Sequence, residues 1–434
     1  MSRGAACCAP ANIPTLTMNL LFLTPQLPYP PEHGGALRAY NLIRVLAQRH
    51  NVTLLSFVRS PADLDRAGPL RDCCQRIETV LAPPRSSRQR VLSVLLSPEP
   101  DLALRLVSTE FQARLEALIR ENRFDVIQIE EIMLARYGLI LNVAPRPRLV
   151  FDTYNAEYVL QQRAFEMDVR DPRRWAGALY SLIQWRKLRA YEARVCRHFD
   201  CTVVVSEADA VALRALDPTL PLAVVPNGVD VAHYAFYKPG PDDPPMPPAS
   251  LVFTGKMDFR PNVDAVLWFA ESVLPLVKQQ VPDVRFYVVG QSPLPRVQAL
   301  GADPSVIVTG RVPDVRPYIA GAAVYVVPLR IGGGSRLKIL EALAMGRAVV
   351  STSLGYEGYP LADGRELVSA DEPGEFAQSV VELLRDPARR AELGRVGQRF
   401  AAEKYDWAAI VPSLERVLLL SDIDTRRVIP LFAH

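Results

Sequence analysis

Short, unbroken Val/Ile/Leu runs recur along the chain, and a stretch of helical period follows almost every one. MNLLFL (18–23), NVTLLSFV (51–58), DVIQI (125–129), RLVFDTY (148–154), CTVVVS (201–206) and LAVVPN (222–227) form a first series. A strand with one wet face alternates apolar and polar residues, whereas a strand covered on both faces does not. Continuous runs separated by helices therefore predict a parallel sheet flanked by helices, a doubly wound α/β domain. The series stops at KPGPDDPPMPPAS (238–250), whose six prolines and lack of periodicity suit a stiff connection. It restarts with LVFTG (251–255), VRFYVVG (284–290), SVIVTG (305–310), AAVYVVPL (322–329) and AVVST (348–352). The expected organisation is a disordered extension over 1–17, a Rossmann-like domain over 18–235, a linker over 236–250, a second Rossmann-like domain over 251–404 and an amphipathic helix over 405–420.

Composition agrees with two sizeable cores: 434 residues, 49% of them hydrophobic, need no disulfide staples. A net charge of +3 argues against nucleic acid or an acidic polymer as partner. No apolar run approaches the ~18 residues of a membrane span, and residues 1–17 lack the apolar stretch of a signal peptide. The six cysteines, Cys7, Cys8, Cys73, Cys74, Cys196 and Cys201, show no zinc spacing and read as reduced thiols of a cytoplasmic protein. Seven Arg/Lys and two Trp between Arg173 and Arg197 leave two readings. One is a helix lining the cleft; the other is peripheral contact with the inner face of the cell membrane. Asp63-Leu-Asp65 and Asp422-Ile-Asp424 follow no buried strand and are read as chance matches to an Asp-x-Asp metal motif.

Residues 328–346, PLRIGGGSRLKILEALAMG, carry the most chemistry. A buried strand ends at Pro328, Gly332 to Gly334 turn the chain, Ser335 is placed to cap a helix and Gly346 to stop it. A Gly-rich turn opening a helix aims free N–H groups and the positive dipole end at one point, which suits phosphate. Arg336 and Lys338 add charge there. Leu337, Leu340 and Ala344 mark the helix's apolar stripe, with Glu341 at its edge, where ribose hydroxyls beyond a diphosphate would satisfy the carboxylate.

This stretch resembles the GT-B glycosyltransferases, in particular the large retaining family 4 that builds bacterial exopolysaccharides and glycolipids. That family carries a Glu-x7-Glu motif: Glu341 matches its second, ribose-binding Glu, while the first falls at Gly333. The departure leaves the sugar contact to backbone amides of Gly333 and Gly334. The resemblance also implies that Lys256 and Arg260 lie on the donor diphosphate, and that the base rests against backbone near Val312. It further implies that Gly34 and Gly35, after His33, let the first domain approach the diphosphate from the other side. Tyr154 stands where the family often has a sugar-contacting His, with Asn155 and Glu157 as further sugar or acceptor contacts.

The resemblance implies a GT-B fold, two Rossmann-like domains facing across a cleft, with the last helix crossing back to the first. The implied reaction moves a sugar from a UDP- or GDP-sugar to a hydroxyl of a saccharide or lipid-linked acceptor. It would retain configuration and use no metal or other cofactor. Lys256, Arg336, Lys338 and Glu341 are the expected catalytic set. Two alternatives stay open: a sugar-nucleotide epimerase, and a non-catalytic nucleotide-sugar sensor or scaffold.

Overall fold

Two parallel sheets account for the two series of apolar runs. The computed structural model describes residues 17–419 apart from 32, 242 and 333–335. Most of the 1–17 extension, Cys7, Cys8 and Asp422-Ile-Asp424 therefore lie outside the described residues. The first sheet holds β1 (Asn19–Thr24), β2 (Asn51–Val58), β3 (Arg76–Leu81), β4 (Val126–Glu130), β5 (Arg148–Thr153), β6 (Cys201–Val204) and β7 (Leu222–Val224). Their order is β3-β2-β1-β4-β5-β6-β7. The second holds β8 (Ser250–Thr254), β9 (Arg285–Val289), β10 (Val306–Gly310), β11 (Val324–Val327), β12 (Val349–Ser351) and β13 (Val368–Ser369), ordered β10-β9-β8-β11-β12-β13. Every pairing is parallel; Leu20, for example, lies between Val52 and Val126, and Tyr325 between Val252 and Val349.

In each sheet the first strand is flanked by its second and fourth, so the winding reverses there and opens a crevice at the strands' carboxyl ends. The lobes meet across these two crevices. Helices α1 (Gly34–Leu46), α2 (Ser87–Leu96), α3 (Glu157–Asp168), α4 (Trp175–His198) and α5 (Val231–Ala235) belong to the first lobe. Helices α6 (Arg260–Trp268), α7 (Leu337–Ala344) and α8 (Pro387–Tyr405) belong to the second. The long basic helix α4 packs along α3 and touches α2.

The last helix, α9 (Trp407–Leu419), returns to the first lobe. It buries Trp407, Ile410, Val411, Leu414 and Val417 and packs on α1. Its Glu415 meets His50 at 2.9 Å and Arg49 at 2.8 Å. The chain just before it is tied to the first lobe by Val229 N–H to Tyr405 O at 2.8 Å. Cys73, Cys74, Cys196 and Cys201 are free thiols, and burial pushes the last three up to about 12, which leaves them inert.

Candidate active site between the two lobes

The two crevices bring the starts of α1 and α7 face to face. A methyl placed on Gly34 would lie 3.8 Å from Leu337 Cδ1. Both helices thus direct their positive dipole ends into one gap. His33 caps α1, its Nδ1 accepting from Ala36 N–H at 3.3 Å. The exposed loop histidine is therefore a helix cap. Gly333, Gly334 and Ser335 lie outside the described residues. The helix that follows them begins at Leu337, after Arg336, and Gly346 ends it in the left-handed region (φ 65°). Ile339, Leu340, Ala342, Leu343 and Ala344 are buried, while Leu337 is only half-buried and turns toward the cleft.

Lys338 projects from the first turn of α7 to the end of β8. Its Nζ donates to Asn262 Oδ1 at 2.8 Å and sits 3.9 Å from the centroid of the Phe253 ring. Asn262 in turn donates to Lys256 O at 2.9 Å, so α6, the β8 turn and α7 form one fixed cradle. Gly255 is required in it: a Cβ there would stand 2.7 Å from Asn262 Nδ2 and 3.0 Å from the ammonium. Burial, helped by Arg336 and opposed by Glu341, brings the Lys338 amine down to about 7. Glu341, one turn on, is raised by burial and held partly in check by a hydrogen bond from Tyr234 of α5 and by Lys338. Leu337, Glu341, His233 and Tyr234 line one side of a cavity of about 420 Å³ between the lobes; Leu37, Tyr40 and Arg44 of α1 line the other.

The remaining second-lobe candidates lie around this cradle. Lys256 is exposed and 3.3 Å from Asp258. Arg260 opens α6 and reaches across the cleft to within 3.8 Å of Asp168, at the end of α3. Val312 follows β10 and packs, half-buried, against the core. Arg330, also near, is committed to Asp264 at 2.9 Å.

On the first lobe the floor is acidic. Asp152, at the end of β5, is fully buried against Arg38 at 3.0 Å. Arg38 also donates to Pro226 O at 3.1 Å and Asn227 Oδ1 at 3.2 Å, which gives Asn227 a structural role. Tyr154 corrects the expectation placed on it. Its hydroxyl donates to the buried Glu130 at 2.6 Å and leans toward Gly35 O at 3.4 Å, so it is turned into the lobe instead of toward a ligand. Burial, with Asp152 beside it, raises the Glu130 carboxyl, and the Tyr154 and Gln128 donors offset that cost. Asn155 Nδ2 leans on Glu157 Oε1 at 3.4 Å. The backbone N–H groups of Glu157 and Tyr158, which open α3, donate to the buried Glu192 at 2.9 and 2.7 Å.

Sequence reasoning passed over Glu131. It follows β4 with a left-handed backbone (φ 65°), which costs a residue with a Cβ about 1–3 kcal/mol and marks sites where geometry matters more than comfort. A Cβ on Gly35 would lie 3.0 Å from Glu131 Oε1 and 2.7 Å from Tyr154 Cε2, so only glycine lets α1 start here. Burial first, then Glu157, raise this carboxyl to about 7. The signal was available: Glu130-Glu131 closes a buried strand, where ligands gather. Tyr234 and Asn262 were also passed over, because only the folded chain sets them beside Glu341 and Lys338.

A larger cavity, about 580 Å³, lies on the outer face of the first lobe beside Glu99, Arg136, Arg194 and Arg197. Its arginines are spent on Glu99 and Asp217. Among the described residues there is no group of His, Cys, Asp and Glu that could hold a metal ion, and no helix long and apolar enough to cross a membrane. Asp63, from the Asp-x-Asp match, caps a short helix through Arg59 N–H and Ser60 N–H.

Both lobes are similar to known proteins. Residues 33–233 match the profile of "Glycosyltransferase Family 4", and residues 248–386 that of "Glycosyl transferases group 1". An uncharacterised 44.6 kDa protein of the cps region of Klebsiella pneumoniae is 20% identical over 91% of this chain and 98% of its own length. A phosphatidyl-myo-inositol mannosyltransferase of Mycolicibacterium smegmatis is 31% identical over 44% of this chain. The chain spans about half the length of that relative. In fold, sucrose-phosphate synthase from Thermosynechococcus elongatus superposes with a TM-score of 0.67 at 17% identity, over 92% of this chain and 98% of that one. With one profile on each lobe and the two-lobed fold throughout, the chain belongs to the group 1, family 4 glycosyltransferases of the GT-B fold and is a transferase enzyme.

Proposed function

We propose that this enzyme moves a sugar from a nucleoside diphosphate sugar, UDP- or GDP-linked, to a hydroxyl of a saccharide or lipid-linked acceptor, with retention and without a metal. The observation that carries the reading is the meeting of the α1 and α7 amino ends across the cleft, with the Lys338 amine held in the cradle beneath the first turn of α7. Two dipole ends facing one gap, with a desolvated cation on the second-lobe side, suit a diphosphate. Mannose is the sugar to try first, given the mannosyltransferase relative.

In this reading Lys338, Arg336 and Lys256, with the amides of residues 334–336, bear the charge that grows on the leaving diphosphate. Glu341 accepts from the ribose hydroxyls, displacing the Tyr234 hydroxyl that now occupies it. Gly34 and Gly35 keep the first lobe close to the diphosphate, while Arg260 and Val312 border the donor. Tyr154 acts through Glu130 and Gly35 as a positioning residue. Glu131, Asn155 and Glu157 face the sugar and the acceptor. The C1–O bond to phosphate breaks, the acceptor oxygen bonds C1 from the same face, and the acceptor's proton passes to the departing phosphate oxygen. Closure of the lobes excludes water, which would otherwise hydrolyse the donor.

The test is a thermal-shift panel of UDP, GDP and their sugars, followed by turnover of the radiolabelled ligand that shifts most, with and without EDTA. Ligand at 100 times its Kd should add ~2.7 kcal/mol of stability. Glu341→Ala should abolish that shift. A ligand that binds with neither transfer nor hydrolysis would favour the sensor reading, and conversion of the donor sugar alone would favour the epimerase.

A further inference from the structure

The outer face of the first lobe carries an apolar patch that none of the described residues covers. Val91, Leu92 and Leu96 of α2 are 60%, 55% and 79% exposed; Trp175 and Leu179 of α4 are 61% and 59% exposed. The two helices form one surface, since Val91 and Val94 share a groove of about 390 Å³ with Leu179 and Ile183. The surface is held rigidly. Lys187 of α4 donates to Val94 O and Ser97 O, both at 2.6 Å, pinning the carboxyl end of α2. Arg85 anchors its other end by bonding Ser93 and Asp101. A soluble protein seldom leaves five large apolar side chains together in water.

Charge indicates the occupant. Residues 79–98 hold three arginines and no acid. Arg88, Arg170 and Arg173 at the rim make no ion pair among the described residues, and the acids nearby are already engaged, Asp168 and Asp171 by Arg174 and the buried Asp101 by Arg85, Arg90 and Arg105. An apolar stripe, a tryptophan and unpaired arginines together fit the boundary layer of a bilayer with anionic headgroups. The position fits as well. α3 starts at the cleft floor with Glu157 and ends, at its twelfth residue, at Asp168 beside Trp175. At 1.5 Å per residue the patch stands roughly 18 Å from the floor, and Asp168 is also the residue Arg260 approaches from the second lobe. A bilayer touching the patch would lie next to the cleft's mouth.

We infer that the α2–α4 face, through Val91, Leu92, Leu96, Trp175 and Leu179 with its rim of arginines, docks the enzyme on an anionic membrane surface. The inference is independent of which donor is used. It deepens the acceptor reading, since docking would present a lipid-borne hydroxyl to the cleft.

Vesicles of phosphatidylcholine with and without phosphatidylglycerol test it. The full chain should sediment with the anionic vesicles, at least about tenfold more strongly than with the neutral ones, and release in high salt. Trp175, the one strongly exposed tryptophan among the described residues, should be quenched by brominated lipid. Leu92→Glu with Leu96→Glu should lower binding at least about tenfold, and Arg88→Gln with Arg173→Gln should remove the preference for anionic lipid. Retention of the nucleotide thermal shift separates a failed patch from a failed donor site. The inference is overturned if the wild type ignores anionic vesicles, if Trp175 stays unquenched on bound vesicles, or if the leucine variant binds as well as wild type. Concentration-dependent self-association that this variant abolishes, in the absence of vesicle binding, would assign the patch to a second copy instead.

Discussion

Lys338 makes donor binding depend on pH in a direction that can be worked out beforehand. With the amine near 7 in the free protein, about three-quarters of it is charged at pH 6.5 and only about 3% at pH 8.5. A diphosphate beside it raises its pKa far above this range, so binding above neutrality must draw a proton from solvent. The apparent Kd therefore weakens by ~25-fold, or ~1.9 kcal/mol, between pH 6.5 and 8.5. Calorimetry with a nucleotide sugar, whose diphosphate does not titrate here, reads both quantities. Repeating it in two buffers of different ionisation enthalpy should show uptake of about one proton at pH 8.5 and about a quarter at pH 6.5. Lys338→Met should bind more weakly and show a flat profile. The unliganded protein responds in the opposite sense. The folded-state pKa lies below the unfolded value, so the unfolded chain holds more protons between 7 and ~10.4, and stability rises with pH over that window. An unchanged wild-type Kd across the range, or the same slope in Lys338→Met, would refute the placement of the diphosphate on this amine.

Other expectations concern the first lobe. Glu131→Gln should remove a rise in kcat/KM on passing upward through about pH 7, since the ionised carboxylate is the form that accepts from a hydroxyl; a retained rise would exclude it. Gly35→Ala, whose methyl would overlap Tyr154 and Glu131, should lower kcat/KM at least about tenfold by displacing the start of α1; wild-type rates would show that the lobe adapts. Asp152→Asn leaves the buried Arg38 without its counter-ion and should cost roughly 3–5 kcal/mol in urea unfolding. A loss below about 1 kcal/mol would mean that Asn227 and Pro226 O suffice for Arg38.

The legible part of this molecule was its periodicity. Runs such as LAVVP and AAVYVVPL are apolar on both faces because helices cover both, and the strands fall where those runs do. The strand passed over in the first lobe, β3, lies at the sheet's edge, and its half-exposed RIETVL mixes polar and apolar residues in place of an unbroken apolar run. β13 has only two residues, too few for any pattern. The candidate site was legible where one segment holds neighbouring charges, as with Lys338 and Glu341 on a single helix. It was not legible where partners come from distant stretches. Tyr154 looked like a ligand contact because nothing nearby in sequence reveals Glu130, twenty-four residues earlier, as the acceptor of its proton.

The return of α9 to the first lobe has a mechanical consequence. The backbone passes between the lobes twice, and the passages run side by side, stitched by Val229 N–H to Tyr405 O and Val231 N–H to Asp406 Oδ2 at 3.1 Å. Two adjacent straps behave as the leaves of a door hinge: swinging about the line they define is cheap, and torsion across it is resisted. Cutting the chain before Trp407 would do more than shorten it, because it would unlatch one strap and bare the greasy flank of α1.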